Sequence, residues 1–263
     1  MGLADALAAM LTSEDDLALL HRDPAALRDR FALTGAELAM LTGAGPAGYR
    51  ITRRNVQAKL RRAIRVCLPV TVAHLHHHHR DLWERFAATL VRPPRPVHRH
   101  GIWESERLAD WLASLDLAPL ADYARYELER TKLRRPDIDA RGVGGAGGAG
   151  GAGGAVPGRP RGRGLGGPLV LSADARVLTF DHDVTAGPPL QELPVRRTHV
   201  VLHRWSEPSH LRTYRISAAT ALLLDRCDGT RTPEQLAAAG GGDPGAVRAA
   251  LDRLLAAELV HPA

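Results

Sequence analysis

The chain has 263 residues, of which 44% are hydrophobic and 24% are charged. This composition is close to that of an average globular protein, which excludes a chain that is disordered throughout, and the length allows one large domain or two ordinary ones. The net charge is +6, and most of the basic excess lies in residues 1–135. No apolar run is long enough to span a membrane, and the N-terminus lacks the basic and apolar segments of a signal peptide, so we expect neither.

The two cysteines, Cys67 and Cys227, lie far apart in unrelated sequence contexts. This spacing excludes a framework of disulfides and a zinc site built from cysteines. Free cysteines fit a reducing compartment, so we expect a cytoplasmic protein.

The pattern over residues 1–135 predicts an all-α helical bundle. Ser13 precedes three acidic residues, Pro24 stands where a helix tolerates proline, and Thr34 with Glu37 has the spacing of a capping box. Apolar residues then recur at helical spacing through several further segments, the last of which runs from about Pro119 to Leu133. We expect the aromatic residues Trp111, Tyr123 and Tyr126 to lie in the core of this bundle.

Residues 136–168 are rich in glycine, alanine, proline and arginine, and they predict a flexible linker between two domains. The Gly-Ala repeats from Gly142 to Ala155 have no side chain that can pack, and such a coil spans roughly 20 Å. Gly142 to Gly147 matches G-x-G-x-x-G, but no strand precedes it and no helix follows, so we do not predict a dinucleotide site.

Residues 169–263 predict a small α+β domain with a winged-helix-like order of elements. The β-branched and aromatic segments 176–181, 198–205 and 211–216 predict strands, and the last two predict a hairpin closed by a turn at 206–209. Three helices are expected to follow, opened by Ser217, Thr232 and Asp243.

The sequence contains none of the common catalytic motifs, and we expect no catalytic residue and no cofactor in this chain. Asp181, His182 and Asp183 follow a strand as turn residues do. The run from His74 to His79 places His74 and His78 one helical turn apart, a spacing that can hold a metal ion. Because no carboxylate or cysteine stands at ligand spacing beside them, they are weak candidates and we predict no functional metal site.

Seven basic residues between Arg50 and Arg65 predict a basic helix that has no aromatic residues among its charges. Its exposed face could contact nucleic acid, an acidic protein or only solvent. The residues expected at such a contact are Arg54, Arg61, Arg62 and Arg65. The last helix of the C-terminal domain is close to neutral, because Arg248 and Arg253 are offset by Asp252 and Glu258, so we do not expect it to read DNA.

The strand 211–216 could accept an extended peptide as an added strand if it lies at the edge of its sheet. The alternative is that the segment Val177–Phe180 covers this edge. The residues alone do not decide between the two.

The C-terminal run from Tyr214 to Leu236, with its Asp228-Gly-Thr-Arg-Thr232 turn and the helix from Val247 to Val260, resembles the PqqD-like element that recognises precursor peptides. The N-terminal half resembles a helical DNA-binding-domain family found in proteins encoded beside multinuclear non-haem iron-dependent oxidases. The matching segments are Asp23–Leu38, the basic helix that leads into Cys67-Leu-Pro69, and Leu115–Leu133.

Together these resemblances imply a non-catalytic partner subunit in the maturation of ribosomally made peptides, as in methanobactin-type and thiaglutamate-type systems. A separate TIM-barrel oxidase would hold the iron, residues 1–135 would dock on it as a heterodimer, and residues 169–263 would bind the leader of the precursor peptide. The resemblance implies a leader groove formed by Leu211, Arg212, Thr213, Tyr214, Arg215, Ile216, Val247, Arg248 and Leu251. The alternative is a DNA-binding transcriptional regulator that uses the basic helix 50–66. If the chain is a partner subunit of an oxidase, we expect neither nucleic acid nor membranes among its partners.

Overall fold

The computed structural model describes residues 2–90, 101–134, 167–205, 210–239 and 243–263. The chain divides into two compact units, residues 1–111 and 112–263. The expected linker core at 142–155 and the expected turn at 206–209 lie outside the described residues. No helix in the described part of the chain is long and apolar enough to cross a membrane.

The described part of the first unit is entirely helical, as the sequence predicts. Its helices are α1 Leu3–Thr12, α2 Glu14–Arg22, α3 Pro24–Phe31, α4 Gly35–Gly43, α5 Gly45–Cys67, α6 Pro69–His78, α7 Arg80–Ala88 and the first part of α8 Ile102–Ser114. The boundary between the units therefore falls inside α8.

The predicted helix starts are confirmed by their capping bonds. The Ser13 hydroxyl accepts the N–H of Asp16 at 3.1 Å, which begins α2. Thr34 and Glu37 form the reciprocal capping box of α4, with bonds of 3.2 and 2.8 Å. Each cap satisfies backbone donors that a helix leaves unpaired at its first turn.

Two groups of buried side chains hold the first unit together. One gathers α1 to α4 around Met10, Leu17 and Leu27. The other is aromatic: Phe86 lies 6.3 Å from Trp83 and 5.4 Å from Trp111, measured between ring centroids. Trp111 thus lies in the bundle, as expected.

Gly101 allows α8 to begin close against α5. Its φ is +97°, and a Cβ at this position would lie 3.0 Å from both the Ala63 carbonyl oxygen and the Cys67 sulfur. A side chain here would be strained by the backbone and crowded by α5, so glycine is required.

The second unit combines helices with two small antiparallel sheets. Its helices are α9 Ala118–Arg134, a 3-10 turn Leu190–Glu192, α10 Ala218–Asp225, α11 Pro233–Ala239 and α12 Pro244–Ala256. Its strands are β1 Leu169–Leu171, β2 Ala175–His182, β3 Val195–Arg204, β4 Leu211–Ile216 and β5 Val260–Pro262. The strands β2, β3 and β4 form one sheet in that order, and β1 pairs with β5. The predicted hairpin of the second and third strands is confirmed.

The three-stranded sheet is covered on both faces. On one face Ala175 and Val201 join a core with Leu224, Leu236 and Leu251 from α10, α11 and α12. On the other face α9 contacts β2, β3 and β4. Because side chains alternate along a strand, Phe180, Val200 and Leu202 face the α9 side.

The position of α9 differs from the expected domain arrangement, which placed it in the N-terminal bundle. Tyr126 packs edge-on against Phe180 with 6.2 Å between ring centroids, and its hydroxyl lies 3.2 Å from the Thr213 hydroxyl. The apolar spacing of α9 indicates that one side is buried, but spacing alone does not reveal which layer buries it. The linker therefore lies within the second unit, between α9 and β1, and the chain passes between the units inside α8.

This arrangement predicts the result of cutting the linker. If a protease site is inserted between Gly147 and Gly148 and cleaved, fragment 1–147 should remain bound to fragment 148–263, because α9 supplies one of the two layers on the sheet. Size-exclusion chromatography of the cleaved protein measures this. Separation of the two fragments in native buffer would contradict the assignment of α9 to the second unit.

Candidate functional site

The strand β4 lies at the edge of its sheet, and this edge is open in the part of the chain that the structure describes. Within the described residues it pairs only with β3, in the register Val201 with Tyr214. The segment Val177–Phe180, which could have covered this edge, pairs with the opposite side of β3 instead. An exposed strand edge carries unpaired N–H and C=O groups that can bind another extended chain.

The register shows which backbone groups face outward. The N–H of Trp205 donates to the His210 carbonyl at 3.1 Å, and hydrogen-bonded pairs alternate along an antiparallel ladder. The backbones of residues 212, 214 and 216 therefore bond to β3, and those of Leu211, Thr213 and Arg215 face the open edge. The other side of β3 agrees, because Arg204 N–H donates to the Asp174 carbonyl at 2.9 Å. We call these outward groups, with the side chains of residues 211–216, the β4 edge.

The two rows of side chains on β4 differ in chemistry. Tyr214 and Ile216 face the helical core, where Val247 of α12 also packs. On the α9 side the Thr213 hydroxyl meets Tyr126, and Arg215 forms an ion pair with Asp183 at 3.0 Å.

Three residues of the predicted leader groove differ in their exposure and contacts. Leu251 is 1% exposed and belongs to the core, so its side chain is not available to contact a bound peptide directly. Arg212 is exposed, and its guanidinium carbon lies 4.5 Å from the centroid of the Trp205 ring. This contact places a cation and an indole where the hairpin turns. Arg248 is exposed beside Glu234, 3.8 Å away.

Arg248 lines an open groove of about 410 Å³ between α11 and α12. Its other lining residues are Pro233, Glu234, Ala237, Ala238, Pro244 and Gly245. The lining is mainly apolar, so the groove suits an apolar side chain.

The residues Asp181, His182 and Asp183 fasten elements together. The carboxylate of Asp122 on α9 accepts the backbone N–H groups of Asp181 and His182 at 3.1 and 3.2 Å, and the His182 Nδ1–H at 2.8 Å. His182 and Asp183 are both buried. These contacts tie α9 to the end of β2.

The buried carboxylate of Asp183 joins β2 to β4. It accepts hydrogen bonds from the Thr185 hydroxyl and backbone N–H, and it pairs with Arg215. The pKa of Asp183 is lowered, first by the Thr185 hydroxyl and then by the Thr185 N–H and Arg215, while burial acts in the opposite direction.

The histidine run lies at the end of α6. His74 is 8% exposed, and its ring centroid lies 4.6 Å from that of His78. Burial lowers the pKa of His74, and the neighbouring His78 and His79 lower it further. Among the described residues, no group of three or more His, Cys, Asp or Glu side chains is arranged to hold a metal ion.

The basic helix forms α5, and the structure separates its predicted contact residues. Arg54, Arg62 and Arg65 are exposed. Arg61 instead makes two hydrogen bonds to Glu84 of α7, at 3.2 and 2.9 Å. Lys59 is exposed on the outer face and was not among the predicted contacts.

Three residues that shape the β4 edge were not predicted to do so. Asp122 and Tyr126 lie on a helix that the sequence assigns to another domain, and no local signal connects them to β4. The sequence predicts Trp205 only as a strand residue. A tryptophan and an arginine at nearby positions on the two strands of a predicted hairpin, as Trp205 and Arg212 are, indicate a cross-strand contact.

Asp183 predicts a pH-dependent stability. The pKa of its carboxyl group is lower in the folded protein than the usual value of 3.8. The ionised carboxylate therefore stabilises the fold above pH 3.8, and this stabilisation is lost as the pH falls through the folded pKa. Asp183→Asn should lower the free energy of unfolding by about 1–3 kcal/mol at neutral pH and by much less near pH 2. Urea denaturation across this range measures the difference.

The exposed neighbour gives a matched control for that experiment. Asp181→Asn changes the same chemical group two residues away, where the side chain is exposed, and should alter stability by less than about 0.5 kcal/mol. An equal loss in both variants, or a loss at Asp183 that is independent of pH, would show that Asp183 does not act through its charge.

Searches for related proteins found no family model and no curated protein that matches this chain.

Proposed function

We propose that the second unit binds an extended peptide as a strand added to the β4 edge, without catalysing a reaction itself. The observation that carries this proposal is the row of outward backbone groups at Leu211, Thr213 and Arg215. Main-chain hydrogen bonds to such a row supply affinity, and the side chains beside it supply specificity.

The surroundings of β4 suit this role because the strand is held on both faces. Tyr214 and Ile216 anchor it to the helical core, while Thr213 and Arg215 contact Tyr126 and Asp183. A strand that is already ordered loses little conformational entropy when a peptide binds. An incoming strand would meet apolar side chains on the face of Tyr214 and polar or charged groups on the other.

We infer further that the peptide is the leader of a ribosomally made precursor. Three antiparallel strands followed by three helices is the order expected of a winged-helix-like, PqqD-like element. The sequence resemblance to this element supports a leader peptide as the ligand. In this proposal the chain is a cytoplasmic accessory subunit and needs no cofactor. A separate multinuclear non-haem iron oxidase docks on the first unit and modifies the core peptide. Holding the precursor beside the oxidase raises its effective concentration there.

A DNA-binding regulator is less well supported by the second unit. The exposed Arg253 of α12 follows Asp252, and Arg248 lies beside Glu234. A helix that reads the major groove would concentrate positive charge on one side. Among the described residues, α5 is a second basic surface that could contact nucleic acid.

The β4 edge predicts a specific effect of proline. Thr213→Pro removes an N–H that faces outward and leaves the bonds of Tyr214 to β3 intact, as proline does at edge strands. We expect it to weaken binding of a cognate leader peptide by about tenfold or more, which corresponds to about 1.4 kcal/mol. Fluorescence anisotropy of the labelled peptide measures the affinity.

Thr213→Val is the matched control, because it also loses the hydroxyl contact with Tyr126 but keeps the backbone N–H. It should bind the peptide within about threefold of the unchanged protein. If both variants bind equally well, the peptide does not use the outward backbone of β4. Co-purification with a co-expressed candidate multinuclear iron oxidase tests the accessory role separately.

A further inference from the structure

The helix α5 is unusual in its charge. Its 23 residues, Gly45–Cys67, include six arginines and one lysine and no acidic residue. Because like charges four residues apart repel along a helix, such a composition weakens the isolated helix. Contacts outside the helix must therefore compensate.

On the inner side these contacts are present within the first unit. Arg53 donates to the carbonyl oxygens of Leu11 and Met10 at 3.0 and 3.1 Å, at the C-terminal end of α1 where carbonyls lack helical partners. Arg53 also pairs with Glu14, and Arg61 pairs with Glu84. These basic residues serve the packing of the bundle.

On the outer side the charges have no such compensation. Arg54, Lys59 and Arg62 are exposed, and no acidic side chain pairs with them in the described part of the chain. Arg65 is also exposed, and its guanidinium lies 3.3 Å from Nε2 of His76 rather than from a carboxylate. From Arg54 to Arg65 this row extends about 16 Å along the helix axis.

Two large apolar residues lie on the same outer side. Ile51 is 58% exposed and Val66 is 52% exposed, one towards each end of the charged row. Between them Asn55 and Ala58 are small and exposed. Ile51, Asn55, Ala58 and Arg62 follow one another at spacings of four and three residues, which is the spacing at which one helix packs along another. We call this surface the outer face of α5.

We propose that the outer face of α5 docks an acidic helix of a partner protein. Asn55 and Ala58 allow close approach of the second helix, Ile51 and Val66 pack against its apolar side chains, and Arg54, Lys59 and Arg62 pair with carboxylates along its flanks. Arginine with apolar residues at the centre of a surface is typical of protein interfaces. The proposal concerns the first unit and does not depend on peptide binding at the β4 edge.

The same observations disfavour the other polyanions. Phosphate contacts to duplex DNA come from basic and polar groups, and they do not explain the exposed isoleucine and valine on the same face. The outer face of α5 also has no aromatic residue on which single-stranded bases could stack. A helix on a lipid surface buries a broad apolar side, whereas the apolar side of α5, with Tyr49, Leu60 and Ile64, is buried in the bundle.

The test titrates three probes against the whole protein. They are a synthetic acidic helical peptide of about 20 residues with leucines at heptad spacing and glutamates flanking them, a duplex DNA of about 20 base pairs, and vesicles of phosphatidylserine and phosphatidylcholine. We expect saturable binding of the peptide, tighter than that of either other probe at physiological salt. Tighter binding of DNA or vesicles through α5 would overturn the proposal in favour of that partner.

The variants locate the binding. The triple variant R54E/K59E/R62E should weaken peptide binding by about tenfold or more, because three attractive ion pairs with the acidic helix become three repulsive pairs. The control R22E/R197E/R253E makes the same change of charge at exposed sites elsewhere and should weaken it by less than about threefold. Equal weakening in both variants would show attraction by net charge alone and would overturn the proposal.

A second pair of variants tests the apolar part of the surface. Ile51→Ser with Val66→Ser leaves every charge in place and should still weaken peptide binding by about fivefold or more, since the two side chains lose contact area. Thermal unfolding should be unchanged, because both residues are exposed. Full peptide affinity in this variant would contradict a packed helix on α5.

Discussion

The architecture of the second unit depends on the attachment of α9 to the sheet. The carboxylate of Asp122 accepts two backbone N–H groups and the side chain of His182 at the point where β2 is irregular. Tyr126 then covers Phe180 and reaches Thr213 on the far strand. A three-stranded sheet covered on one face would leave Phe180 and the neighbouring apolar residues of β3 in water. With α9 in place both faces of the sheet are covered, and in the described part of the chain the β4 edge stays accessible.

This double coverage determines what β4 can do. An edge strand that is covered on a single face can twist or fray, and a peptide that binds it must first order it. In β4 alternate side chains are held from opposite sides, so the outward N–H and C=O groups keep the spacing of a regular strand. Arg215 forms an ion pair with Asp183, whereas Arg212 lies over the Trp205 ring. Arg212 is therefore more available than Arg215 to contact a bound peptide. Recognition would therefore combine main-chain bonding along the strand with one charged contact at the closed end of the hairpin.

The sequence was sufficient where the structure is determined locally. Capping residues placed the starts of α2, α4 and α12, and the β-branched segments placed the hairpin of β3 and β4. It was insufficient where a residue meets a partner distant in the chain. The pairing of β1 with β5 joins two three-residue strands that are too short to show a pattern. Arg61 and Arg62 are adjacent in sequence, but about 100° separates them around the helix, and only the position of Glu84 shows which one faces inward.

The course of the chain also changes what the glycine-rich segment can do. Had it joined the two units, its length would set the distance over which a bound peptide is presented. Because the chain crosses between the units inside α8 and the segment joins α9 to β1, it instead closes a loop within the second unit. Each doubling of such a loop adds only about 0.6 kcal/mol to the entropic cost of closure, so a long and featureless sequence is tolerated here.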